Sequence, residues 1–231
     1  MPKLGLGLGL AVKAGQGFSF PSPWTPESGV TGLASWYDAS DVSTVTTDVG
    51  GVSLWSNKVA DGPDLTQVTS TERPEIGSIN GLQSILFNAN DATTFTDRLS
   101  TSLSPFQLSE FSNLDDFDVF VVGEVNSLPN ATGFYPTINS GNMYAVCPHR
   151  YGQMIFSTQG PGNQFAAPAG TISAGQKVIA QFANKATAGE QLIYLDGTVV
   201  ASETATLPFS VRNLLTVHGF NSSTKVTKSV N

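Results

Sequence analysis

Apolar and polar residues alternate at short range along most of this chain, which is the period of a β-strand with one buried face. The alternation predicts strands over 33–38, 52–58, 84–88, 98–101, 117–125, 134–138, 143–146, 151–157, 177–183, 191–195, 198–201 and 213–220. Phe117-Asp118-Val119-Phe120-Val121-Val122-Gly123 is aromatic and β-branched, as a central strand requires. Asp196-Gly197 lies between two such runs and tolerates positive φ, so a type I′ hairpin is predicted there. Short helices are expected only near 104–113, and no sustained helical period is present. No fixed repeat points to a propeller or solenoid. The pattern predicts an all-β protein over 30–231, a two-sheet antiparallel sandwich or jelly roll.

A different pattern precedes it. In an extended chain Leu4, Leu6, Leu8 and Leu10 would share one face, and the intervening glycines the other. The glycine spacing is not that of a dinucleotide-binding turn. Lys3 followed by 4–12 has the outline of a signal peptide, but alternating glycine makes a poor helix. Pro21, Pro23 and Pro26 then stiffen a Ser/Gly-rich linker. Residues 1–29 are therefore expected to form an extended N-terminal attachment arm and linker. The leucine row would dock on a partner or on a sheet edge of the chain itself.

Composition sharpens the fold class. Charged residues are 13% of the chain, about half the usual share, and small polar residues take their place. That disfavours helices, while 14 Phe can fill a core between sheets. The net charge of −7 repels phosphate backbones, so a nucleic-acid partner is not expected. No apolar run approaches the roughly 20 residues of a bilayer-spanning helix. The single cysteine, Cys147, cannot form an internal disulfide and is expected to be a buried, inert thiol.

Several segments together resemble the concanavalin A-like lectin/glucanase superfamily, in the laminin-G-like jelly-roll form of bacteriophage structural proteins. They are Leu33-Ala34-Ser35-Trp36-Tyr37-Asp38-Ala39-Ser40-Asp41, Val52-Ser53-Leu54-Trp55-Ser56-Asn57-Lys58, Gln67, Arg73-Pro74, Ile79-Asn80-Gly81, Ser84-Ile85-Leu86-Phe87 and the hairpin Leu195-Asp196-Gly197. The leader is similar to leaders on phage virion proteins. The resemblance covers about 30–220 and is specific for fold rather than function. One departure stands out. The superfamily usually closes with a Gly-x-Ile-x-Glu-Ile strand, whereas this sequence ends Thr224-Lys225-Val226-Thr227-Lys228-Ser229-Val230-Asn231. Either the last strand is short and atypical or the chain continues, and an open sheet edge would need covering by a partner.

The related glucanases use paired carboxylates on one strand face, and the matching Glu-x-Asp-x-Glu pattern is missing. Asp116 and Asp118 are the nearest cluster, and they read as a solvated turn before a strand. His149 and His218 lack the companions of a zinc site. No catalytic residues are assigned, and the chain is not expected to be an enzyme. Trp36 and Trp55 are core or core-edge candidates, with sugar stacking the functional alternative. Arg150 is a loop charge that could contact an acidic sugar. No cofactor is required. Calcium is the one metal considered, with Asn88, Asn90 and Asp91 the densest donor group and Asp38, Asp41, Asp61, Asp64 and Asp97 further oxygen donors. The resemblance implies a virion structural protein, partnered by capsid or tail proteins, homo-oligomeric and displayed on the particle surface, where it could hold a host surface glycan. A carbohydrate-binding adhesin of a phage or bacterial surface is the alternative, and a glycoside hydrolase ranks third.

Overall fold

The computed structural model describes residues 26, 33, 35–87, 97–101, 116–125, 128, 138–140, 143–149, 152–157, 164–185, 188–204, 216–218 and 224–230. The expected leader and linker (residue 26 aside), and the helices sought near 104–113, lie outside these residues. In chain order the strands are β1 (Ser35–Tyr37), β2 (Val45–Asp48), β3 (Gly51–Trp55), β4 (Leu65–Thr66), β5 (Glu75–Ile79) and β6 (Leu82–Phe87). Next come β7 (Arg98–Ser100), β8 (Phe117–Val125), β9 (Ile138–Ser140), β10 (Met143–His149), β11 (Gln153–Ser157) and β12 (Phe165–Ala166). Last are β13 (Gln176–Lys185), β14 (Glu190–Leu195), β15 (Thr198–Thr204), β16 (Thr216–His218) and β17 (Thr224–Val230). Two short 3-10 turns, Val42–Thr44 and Ser70–Glu72, interrupt them.

All pairings are antiparallel and form two sheets. One runs β15-β14-β13-β8-β17-β6-β5, with β1 also paired to β17, and the other runs β12-β11-β10-β9-β16-β7-β4-β3-β2. The sheets pack face to face through one hydrophobic core. Strand β8 shows why: Phe117, Val119, Val121 and Val125 are buried while Asp118, Phe120, Val122 and Glu124 face away. Aromatic contacts stitch the sheets together. Tyr37 of the first meets Trp55 of the second at 5.6 Å between ring centroids, and Phe182 meets Phe156 at 5.6 Å. Phe117 stands edge-on to Phe156 at 6.3 Å. These side chains have no exposed face, and each contributes about 1.5–3 kcal/mol from burial.

The predicted hairpin is present. Asp196 and Gly197 have φ of 50° and 81°, the signs of a type I′ turn. The Asp196 carboxylate also accepts from the Ile179 amide at 2.8 Å, pinning the turn to the neighbouring strand. Asn80 and Gly81, with φ of 54° and 80°, make a second turn of the same kind between β5 and β6.

The last described strand is atypical in sequence, one of the two alternatives expected, and it does not leave the open edge that was expected to need a partner. Residues 224–230 are not an edge: β17 lies inside its sheet, paired along its length with β8 and on its other side with β6 and then β1. With Val226 and Val230 its only apolar residues, the segment lacks the aliphatic run that marks a central strand. Main-chain pairing on both sides holds it regardless of side-chain chemistry. Strands β2, β4, β5 and β12 also went unread. The first and third are polar or mostly exposed, and the others are two residues long.

Candidate functional site

The residues that carried the sequence resemblance prove largely architectural. Tyr37 is fully buried against Trp55 and its hydroxyl donates to the Pro63 carbonyl. Burial pushes that hydroxyl's pKa well above the usual tyrosine value. Asn57 Oδ1 accepts from the amides of Trp36 and Val59, both at 3.0 Å, and its own amide donates to Asp64 Oδ1 at 2.8 Å. Arg73 spreads its guanidinium over the carbonyls of Gln67 (2.9 Å) and Val49 (2.6 Å) and the Asp48 carboxylate (3.2 Å). Gln67 in turn donates to Glu72 at 3.1 Å and to the Arg98 carbonyl at 3.3 Å. These motifs tie loops to strands.

The same holds for Asp38 and Asp41, two of the carboxylates proposed as metal donors. Asp38 accepts from the amide and hydroxyl of Ser40, and Asp41 from those of Ser43. Lys58 Nζ lies 2.9 Å from Asp41 and 3.7 Å from Asp38, an ammonium where a cation would have to sit. Its hydrogen bond, with those from Ser43, holds the Asp41 carboxyl down at about 2. Among the described residues no three His, Cys, Asp or Glu side chains gather as a metal group. Asn88, Asn90 and Asp91 lie outside the described residues, as does Arg150. Cys147 is buried, and desolvation pushes its thiol up to about 12.

The two tryptophans separate. Trp55 is fully buried and offers no ring face to a sugar, because it fills the core beside Tyr37. The core reading therefore holds for Trp55, and the alternative of sugar stacking is corrected there. Trp36, one residue before Tyr37, is half-buried on the opposite side of the strand, with Lys58 Nζ 4.3 Å from its ring centroid.

Strand register then assembles a feature that no local segment contains. Trp36 is opposite Ser229, Ser229 opposite Phe120, Phe120 opposite Gln181, Gln181 opposite Tyr194, and Tyr194 opposite Val199. This is one row across the outer face of the first sheet. Trp36, Phe120, Gln181 and Tyr194 are each half-buried at positions alternating with buried core residues. The aromatic positions recur every second strand, about 9.6 Å apart for strands spaced about 4.8 Å. Beside the row, Asp118 accepts from Gln181 Nε2 at 2.8 Å and from Lys185 Nζ at 2.8 Å. Asp118 is thus committed to an amide and an ammonium, while Asp116 is exposed. Val122 and Ile179, opposite each other, are 40% and 50% exposed, and Val199 is 48% exposed, extending the apolar surface. Phe120 and Tyr194 were missed from sequence. Phe120 is in phase with Asp118 and Glu124, the outward set of its strand, and this was the available signal.

No protein-family model matches the chain, and no curated protein matches its sequence. Solved structures share the fold at low identity. Domain 4 of AbnA, a GH43 extracellular arabinanase from Geobacillus stearothermophilus, in complex with arabinotriose, has a TM-score of 0.54 at 13% identity, covering 86% of this chain and 90% of that one. The botulinum neurotoxin serotype G binding domain has a TM-score of 0.55 at 8% identity, covering 86% of this chain and 47% of that one. A Trypanosoma rangeli sialidase mutant displaying trans-sialidase activity has a TM-score of 0.50 at 13% identity, covering 86% and 30%. At these identities the similarity establishes the β-sandwich architecture.

Proposed function

We propose that the protein is a non-catalytic glycan-binding module whose binding surface is the outer face of the sheet holding β8 and β13. The observation that carries this reading is the row Trp36, Phe120 and Tyr194 with Gln181 between the last two. Aromatic rings at the surface accept the C–H face of a pyranose, while a fixed amide and a carboxylate read its hydroxyls. Gln181 and Asp118 hold each other in place, which lowers the ordering cost on binding. In support, a similar fold was solved with arabinotriose and another is a toxin binding domain. Lys185 Nζ, 2.8 Å from Asp118, also helps to hold that carboxylate in place beside the row. The test is a glycan array followed by calorimetry. Binding that is lost in Phe120→Ala with the fold intact supports the reading, and unchanged binding refutes it.

The setting proposed is the surface of a bacteriophage particle, as capsid- or tail-associated, homo-oligomeric copies attached through Leu4, Leu6, Leu8 and Leu10. It rests on the likeness of the leader and of the sequence segments to phage structural proteins. Immunogold labelling of purified particles, with and without deletion of 1–15, tests it. Particles that label equally without the leader would show that attachment runs elsewhere.

A further inference from the structure

Resting on the glycan-binding reading, we infer that the ligand is a single, neutral, linear glycan chain that crosses the strands and spans about five sugars. Three aromatic positions on one register row, each two strands from the next, form a ruler rather than a single pocket. End to end it covers four inter-strand spacings, about 19 Å. An extended β-linked pyranose chain turns alternate rings over, so every second sugar presents the same face. Rings recurring every second strand therefore match sugars one, three and five. Gln181 occupies the row position between Phe120 and Tyr194, where an intervening sugar presents its hydroxyls.

Sheet twist narrows the ligand further. Adjacent strands rotate by about 20–25°, so successive aromatic positions are turned about 40–50° from one another. A flat crystalline polysaccharide surface cannot meet all three, whereas one free chain can twist along the row. Charge disfavours a polyanion: two lysines at the row, Lys58 over Trp36 and Lys185 beside Asp118, are each paired with an aspartate, Asp41 at 2.9 Å and Asp118 at 2.8 Å, and the chain carries a net charge of −7.

The experiment is calorimetry of the full chain against neutral soluble oligosaccharides, from dimers to hexamers of β-1,4-linked glucose, mannose and xylose. Affinity is expected to climb with length to about five units and then level off. It should change less than about twofold between about 0.05 M and 0.5 M salt, since stacking is not screened. Trp36→Ala and Tyr194→Ala remove the terminal aromatics. Each should lower hexamer affinity roughly three- to tenfold and shorten the length at which affinity levels off from about five units to about three. Circular dichroism confirms folding, and the wild-type length series tests the inference even where a variant does not fold. Affinity that saturates at a mono- or disaccharide, binding only to acidic glycans, or adsorption only to crystalline polysaccharide overturns the inference while the glycan-binding reading stands. No binding to any glycan on an array overturns both.

Discussion

Adjacent residues Trp36 and Tyr37 offer a direct trial of the inside–outside assignment. Tyr37 is fully buried, its ring 5.6 Å from Trp55 and its hydroxyl bonded to Pro63, while Trp36 is half-buried on the other face. Truncating a buried aromatic to alanine costs about 3–5 kcal/mol, transfer and cavity terms together. Domains hold only about 5–15 kcal/mol in all. For a chain of this size each kcal/mol lowers the thermal midpoint by about 2–4 °C, so Tyr37→Ala should lose roughly 6–20 °C. Tyr37→Phe isolates the hydroxyl and should cost about 0.5–1.5 kcal/mol. Trp36→Ala gives up a partly exposed ring and its cation–π contact with Lys58, about 1 kcal/mol. Urea unfolding followed by near-UV circular dichroism measures all three variants. The reasoning is refuted if Tyr37→Ala stays within about 1 kcal/mol of wild type, or if Trp36→Ala is equally damaging.

Other consequences are open to measurement. Cys147, buried with its thiol pushed up to about 12, should resist a thiol reagent at neutral pH in the folded protein and react fully in denaturant. Asp41 has a folded-state pKa of about 2, below the ordinary value near 3.9 of an unfolded chain, so its contribution is present above that value and fades as pH falls towards 2. The gap in thermal midpoint between wild type and Asp41→Asn should accordingly be widest above about pH 4 and close near pH 2. An identical gap at both ends would contradict the Lys58 pairing. At Gly197, φ is 81° and a Cβ would meet nothing within 4 Å, so Gly197→Ala should cost about 1–2 kcal/mol through backbone strain alone. Chemical denaturation reads that loss, and no change would argue against the type I′ turn.

Much of the fold was legible because it is local. Two-residue alternation in 117–125 determines which side of β8 is buried, and Asp196-Gly197 determines where the chain reverses, since both follow from short-range sterics and hydrophobicity. The all-β class likewise needs only the polar, charge-poor composition and the density of short apolar alternations. The site was far less legible. Trp36 was singled out but could not be told apart from Trp55, because both stand in strand-like runs and only the opposing sheet buries one of them. Phe120 and Tyr194 were not singled out, because only strand register brings them into one row with Trp36.

Tertiary structure decided neighbour order and register. Nothing within 224–230 says that this segment enters between β8, β6 and β1, yet its entry there is what carries Trp36 into line with Phe120 and Tyr194. A strand's own residues specify its faces through the energetics of burial. Which strand lies beside it, and at what offset, is chosen by the long-range pairing that satisfies every main-chain group and closes one core between two sheets. That choice belongs to the whole chain.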